Sequence, residues 1–410
     1  TRRSKITMGG TDQTWYTGGS WTRPIWTAGN SPVQGPKNIM WYDSLVNAIH
    51  DVTVSSIEFT GFHWDGDYPF ASCSIIQVAG STYITLDNLY IHAWTHTGTF
   101  DPCTIILGSS NSPFSEGSVL RNSFVDGSDS TNGGDSMSIY MFPNYVNNVL
   151  QYFTSMAMPK GNSTITGNTV SHCIHSIDVR AHPNMFESLG GNPGGYTMIV
   201  ANNVFHDGAD TCEQGLIGNP GETAYLWNNV WYNNLGNVPA LTQNNNTGAG
   251  VAAYFWNNTI VAPQSGPHFG GISEPCLLAR AGFTYSVVEF RNNHCISNNS
   301  LTVSADVAAT TLTITPNVKQ SLSVANGQGY TAAQTYAYSP TDSGDATVGT
   351  GVDLTSKCTG AFVSLCSDTT YGQGFNATTK TVTGPARRPY IRPSGAAWNV
   401  GAYQAGGNSD

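Results

Sequence analysis

AYLWNN at residues 224–229 and AYFWNN at 253–258 are nearly the same six residues, 29 positions apart. The pair belongs to a longer series in which an asparagine is followed, two residues later, by an apolar or aromatic side chain. Its members are Asn88–Tyr90, Asn122–Phe124, Asn168–Val170, Asn203–Phe205, Asn229–Trp231, Asn258–Ile260 and Asn293–Cys295. Spacings between 26 and 46 residues are too irregular for a helical repeat. They suit a solenoid of β-coils that keeps a short strand in each turn and varies its loops. An asparagine at the bend of each coil can hydrogen-bond the asparagine of the coil above, about 4.8 Å away. Two earlier coils align without gaps: Val52-Val54-Ile57-Phe59 and Ile84-Leu86-Leu89-Ile91. Alternation, a two-residue corner, then alternation again reads as two strands meeting at a bend.

Composition agrees. Charged residues make up 10 % of the 410, and glycines number 45, which disfavours helices and favours turns. The best short helical stretch is Tyr145–Met156. The expected class is all-β, a β-solenoid with an Asn ladder and long loops on one side. Residues 1–50 read as a cap or first coils, 51–300 as the core, and 301–410 as last coils and a closing segment. The loops 127–161, 176–197, 207–222 and 234–250 all leave the body shortly after an asparagine corner and are expected to wall a groove.

A net charge of −10 with only 16 Lys and Arg argues against nucleic acid, which needs a basic face. No apolar run is long enough for a transmembrane helix. Eight cysteines without a CxxC pair favour disulfides over zinc, with Cys358–Cys366 the leading bridge and Cys173 and Cys295 open to being buried thiols. An oxidising, secreted or cell-surface setting follows, and the opening TRRSKITMGG reads as that of a processed product.

Four residues after each asparagine stand His92, Asp126, His172 and Asp207. Equal register in a solenoid means stacking, so these are expected to form one His–Asp–His–Asp column suited to acid/base work or to a metal; a purely structural polar ladder is the competing reading. Further ionisable groups lie close by in sequence: Asp129, Asp178, Arg180, His206, Asp210 and Glu213. Trp94 and Tyr145 are candidates for stacking on sugar rings.

The segment from residue 339 carries Ser339-Pro340, Gly349-Thr350-Gly351, Arg388-Pro389 and Trp398-Asn399-Val400-Gly401-Ala402-Tyr403. It resembles the closing segment of secreted bacterial right-handed parallel β-helix proteins of the pectate-lyase-like superfamily. That resemblance implies a right-handed parallel β-helix and a setting among extracellular polysaccharides. Enzymes of this kind commonly hold an acidic sugar through Ca²⁺ on Asp and Glu, with an Arg or Lys taking the C5 proton. Transferred here, Asp178, Asp210 and Glu213 become the candidate Ca²⁺ ligands and Arg180 the candidate base. His172, Asp207 and Asp126 would share the catalytic centre, and His92, His206, Trp94 and Tyr145 would contact substrate. The chain lacks the Asp-Asp and His-Gly pairs of polygalacturonases. Its literal Arg-x-Pro-x-x-Arg match, Arg387 to Arg392, lies in the closing segment and reads as coincidence. A non-catalytic adhesive or fibre-forming solenoid is the alternative, since low charge and stackable ends favour end-to-end self-association.

Overall fold

The computed structural model describes the strands Ser4–Met8, Thr11–Trp15, Ile25–Thr27 and Ile39–Met40. It then describes residues 53–405 apart from 65–73, 79–80, 98–102, 111–113, 133–136, 175–182, 189–194, 242–249, 265–272 and 280–281. The fold is a right-handed parallel β-helix. Each coil contributes a strand to a ten-stranded first sheet, turns a corner, and contributes another to an eleven-stranded second sheet. A third side begins as the five-stranded sheet ending at Ser155–Met158. It continues through the bridges Asn184–Glu213 and Glu187–Leu216 into the short strands Leu216–Ile217, Ala240–Leu241 and Leu278–Ala279.

Register explains the core. Val54, Leu86, Leu120, Tyr145, Ile165, Val200, Leu226, Phe255 and Phe290 pair in one inward column of the first sheet. Phe59, Ile91, Val125, Leu150, Val170, Phe205, Trp231, Ile260 and Cys295 do so in the second. All are buried, because period-two alternation sends every second side chain of a strand to one face. The gap-free alignment of the 54–59 and 86–91 coils holds, with Val54 opposite Leu86 and Phe59 opposite Ile91.

Between the two sheets, a residue with positive φ is followed by a ladder residue. Asn147, Asn202, Asn228, Asn257 and Asn292 take the first position and Asn148, Asn203, Asn229, Asn258 and Asn293 the second. Each ladder amide donates from both its backbone N–H and its Nδ2 to the Oδ1 of the next. The chain runs from Asn148 through Asn168, Asn203, Asn229 and Asn258 to Asn293 at 2.9–3.0 Å, and ends on Asn317. Asn88 and Asn122 are one residue out of this register. They occupy the positive-φ position, φ 51° and 49°, and their side chains donate to Ser56 Oγ and Asp87 Oδ1.

The stretch Tyr145–Met156 is not a helix. It belongs to one complete coil with strands Asn144–Val146, Val149–Gln151 and Ser155–Met158, so 127–161 is no single loop. Its inward residues Tyr145, Leu150, Phe153 and Met156 imitate a helical period only because two bends interrupt the alternation.

Among the described residues, disulfides Cys173–Cys212, Cys276–Cys295 and Cys358–Cys366 brace the fold. Cys173 and Cys295 are therefore bonded rather than free. The last coil ends with Ala308–Thr313 and Val318–Gln320. A short helix follows, Leu322–Gly327, capped by Ser321. The chain beyond packs first on Tyr225, Trp227 and Trp256 of the first sheet through Leu354, Phe362 and Leu365, and then runs back along the outer face of the second sheet as a strap. Ala402 N donates to Thr259 Oγ1, Tyr371 Oη to Tyr232 Oη, and Gln373 N to Thr169 Oγ1. Farther on, Phe375 packs on Phe124, and Lys380 reaches Glu58 at 3.1 Å. The Arg-x-Pro-x-x-Arg match has a structural role in this strap. Arg392 is buried and donates to the carbonyls of Asn399 and Gly401 and to Asn228 Oδ1; burial pushes its pKa down to about 10. Arg387 is paired with buried Asp368 at 2.8 Å.

Candidate functional site

Leaving the second sheet, each coil turns a second corner. The last outward residue of the strand is His92, Asp126, Gln151, Ser171, His206 or Tyr232 in successive coils, all paired in register. The next residue is Ala93, Gly127, Tyr152, His172, Asp207 or Asn233. All of these except Gly127 have positive φ, between 52° and 60°. The expected His92–Asp126–His172–Asp207 column is therefore two adjacent columns. The coil at 144–158 also lies between Asp126 and His172. The mis-stacking has one cause: counting four from Asn88 and Asn122 begins one residue earlier in the coil than counting from Asn168 and Asn203.

The two columns still gather a cluster. Tyr152 stacks on His172 with centroids 4.2 Å apart, His172 meets His206 edge to face at 6.0 Å, and His206 stacks on Tyr232 at 5.1 Å. Through Tyr371 the strap closes one side of this ring ladder. Asp207 Oδ2 accepts from His206 Nδ1 at 2.6 Å. That hydrogen bond holds the Asp207 carboxyl below its ordinary range against the opposing effect of burial, with help from Asn233 and His172. His172 Nδ1 meets Ser171 Oγ at 3.0 Å, leaving Nε2 without a hydrogen-bond partner among the described residues. Burial, assisted by His206, lowers the His172 pKa below 6.5 although Asp207 and Asp126 pull the other way. His172 is thus a neutral imidazole at neutral pH, half-buried, beside a second imidazole whose Nδ1 is held by a carboxylate.

Asp126 is close enough to act on His172 electrostatically but is occupied at its own turn. It accepts from Ser128 N and Oγ, both at 2.9 Å, and from Gln151 Nε2 at 3.1 Å. His92 is separate from the cluster, with Nε2 on Glu58 at 3.0 Å and Nδ1 on Asp129 at 2.8 Å. Burial opposes ionisation of Glu58, but His92 and Lys380 together outweigh it and lower its pKa. With both ring nitrogens held, His92 braces two coils and the strap.

Two aromatic candidates are corrected. Trp94 and Tyr145 are core side chains: Trp94 packs edge-on against Phe153, and Tyr145 stands in the inward column of the first sheet. Neither offers a face to a sugar. Arg180 and Asp178 lie outside the described residues. Asp210 and Glu213 share a turn, but Glu213 is buried, at an isolated bridge to Asn184, with Oε1 accepting from Asn237 Nδ2 at 3.5 Å. Among the described residues no three His, Cys, Asp or Glu side chains gather as a metal site. The expected calcium ligand Asp178 lies outside the described residues, and the chemistry below uses no metal.

Tyr232, Gln151 and Tyr371 were not singled out in the sequence. The Asn-Asn-Val triplet at 147–149, shared with 202–204 and 228–230, was the available signal for the missed coil.

Compared with protein-family models, curated proteins and solved structures, the chain matches none. No helix among the described residues is long and apolar enough to cross a membrane.

Proposed function

We propose that this chain is an extracellular, pectate-lyase-like β-helix acting on a uronate-bearing polysaccharide, with His172 as base and the His206–Asp207 pair as proton donor. One observation carries the reading: two imidazoles 6.0 Å apart, one kept neutral by burial and the other held by a carboxylate. In a β-elimination, His172 Nε2 removes the proton from C5 and that bond's electrons form the C4–C5 double bond. The C4–O bond breaks, and the leaving oxygen receives the Nε2 proton of a doubly protonated His206, whose Nδ1–H stays on Asp207 and which ends as the neutral ring. Tyr152, stacked on His172, supplies a flat face for a sugar ring, while Tyr232 backs His206 beneath the strap. Hydrolysis by paired carboxylates has less support, because Asp126 is taken up by its turn and Glu213 is buried. The disulfides suit an oxidising compartment, in keeping with a secreted protein.

Uronate polymers incubated with the chain should yield an unsaturated, ultraviolet-absorbing product. His172→Gln should slow its release by about 10²–10⁴-fold, the usual scale for a positioned base. No product from any polymer removes the enzymatic reading.

A second reading rests on the terminal strand Ala308–Thr313. Among the described residues it pairs only with Thr284–Arg291, and Leu312 and, just beyond the strand, Ile314 are 45 % and 40 % exposed. An open edge of this kind suits end-to-end assembly of copies. A strict monomer at high concentration in size-exclusion chromatography would exclude it.

A further inference from the structure

On the outer side of the first sheet, at the upstream ends of its strands, lies a cleft of about 470 Å³. That volume is within the range of roughly 300–1,000 Å³ usual for small-ligand pockets. Its walls include Tyr83, Phe114, Tyr196, Glu116, Lys160 and Asn162, and it shares no residue with the His172 centre.

Its aromatic lining is held in place by unusual backbone. Tyr83 and Phe114 have φ of 55° and 52°, and so does neighbouring Ser115 at 55°, a region that non-glycine residues enter at a cost of about 1–2 kcal/mol each. The Tyr83 ring lies directly over Gly117, where a β-carbon would come within 2.3 Å of it. Tyr83 nevertheless remains 50 % exposed. Phe114 and Tyr196 meet edge to face at 5.8 Å, and the Lys160 ammonium stands 5.4 Å from the Phe114 ring centre. Lys160 and Glu116 make no ion pair among the described residues. Asn162 gives its Oδ1 to Thr197 N at 3.0 Å, which leaves its amide hydrogens as donors.

We propose that this cleft is a second, non-catalytic saccharide site that takes a uronate-bearing oligosaccharide. Tyr83 and Tyr196 supply ring faces for the C–H surfaces of the sugar. Lys160 meets the uronate carboxylate, while Asn162 and Glu116 serve its hydroxyls. The inference takes its ligand class from the reading above but none of its residues.

The test uses the full chain carrying His172→Gln, titrated calorimetrically with an oligogalacturonate and with a cello-oligosaccharide as neutral control. The acidic oligomer should bind more tightly than the neutral one. Lys160→Gln should weaken it about tenfold, the scale of losing a charge-assisted hydrogen bond. Tyr196→Ala should weaken both oligomers, and circular dichroism should show both variants folded. Absent binding, equal affinity for the two oligomers, or binding untouched by either substitution overturns the proposal. Failure of the enzymatic reading looks different: the unsubstituted chain yields no product while Lys160-dependent binding persists.

Discussion

The β-helix has two tight corners bracketing the second sheet, and they use similar backbone for opposite ends. At the first, nearly every coil supplies Asn or Gly at the positive-φ position, and from Asn148 to Asn317 the ladder is asparagine throughout. Like side chains there satisfy one another: each Oδ1 accepts twice, and each Nδ2 donates to the amide of the following coil and to a carbonyl of the preceding one. At the second corner the corresponding residues are Ala93, Gly127, Tyr152, His172, Asp207 and Asn233, which have little in common chemically. A left-handed backbone costs Tyr or His more than Asn. Where a repeat accepts that strain and abandons uniformity, its side chains answer to something other than stacking. The contrast locates the candidate site without reference to any relative.

The largest expected effect falls on the uniform corner. Asn229→Ala removes the acceptor of Asn203 and the donor to Val200 O, leaving several buried groups unsatisfied. At about 1–3 kcal/mol for each such group, denaturant unfolding should show a loss of about 3–5 kcal/mol. Asn233→Ala at the exposed second corner should cost about 1 kcal/mol, mostly the left-handed preference. Equal losses would end the distinction between the corners.

Next comes a pH effect beneath the strap. His294 is buried against Gly401, donates from Nε2 to Gln320 Oε1 at 2.8 Å, and has its pKa lowered from 6.5 to about 4 by burial. The unfolded chain binds this proton at a higher pH than the folded one. The stabilisation is therefore complete above pH 6.5 and declines as pH falls towards 4, by about 3 kcal/mol. His294→Gln should flatten that part of a stability–pH curve; an unchanged slope would place the titration elsewhere.

Smallest is a gain. His172→Asn relieves the left-handed strain of a residue with φ 53° and should raise stability by about 0.5–1 kcal/mol while abolishing turnover. Lower stability together with lost turnover would make His172 a structural residue and return the second corner to the same category as the first.

Much of the fold was legible because the asparagine corner and the alternating strands impose a pattern that loops of any length leave intact. Its fine register was not. Asparagine suits both the left-handed position, by tolerating positive φ, and the ladder position, by its paired amide, so a lone Asn88 or Asn122 does not say which it fills. The doublets Asn202-Asn203 and Asn228-Asn229 do, and so does Asn147-Asn148, whose coil went unread behind a helix-like spacing. In the site, His172, His206, Asp207 and Asp126 were singled out from register and chemistry and do lie together. Trp94 and Tyr145 were misjudged because a bend shifts the inward count by one, which nearness to polar residues conceals. The strap's partnership with the second sheet had no local signature: Gln373 and Thr169 are 204 residues apart and share no periodicity.

Lys380 bonds Glu58 across 322 positions, and the same returning segment touches Thr169, Tyr232 and Thr259 on its way. A plain stack of rungs melts rung by rung, since each knows only its neighbours. A lashing tied to the rungs at Glu58, Thr169, Tyr232 and Thr259 denies the ladder that freedom, so heat should release this one as a single unit rather than unravel it from an end.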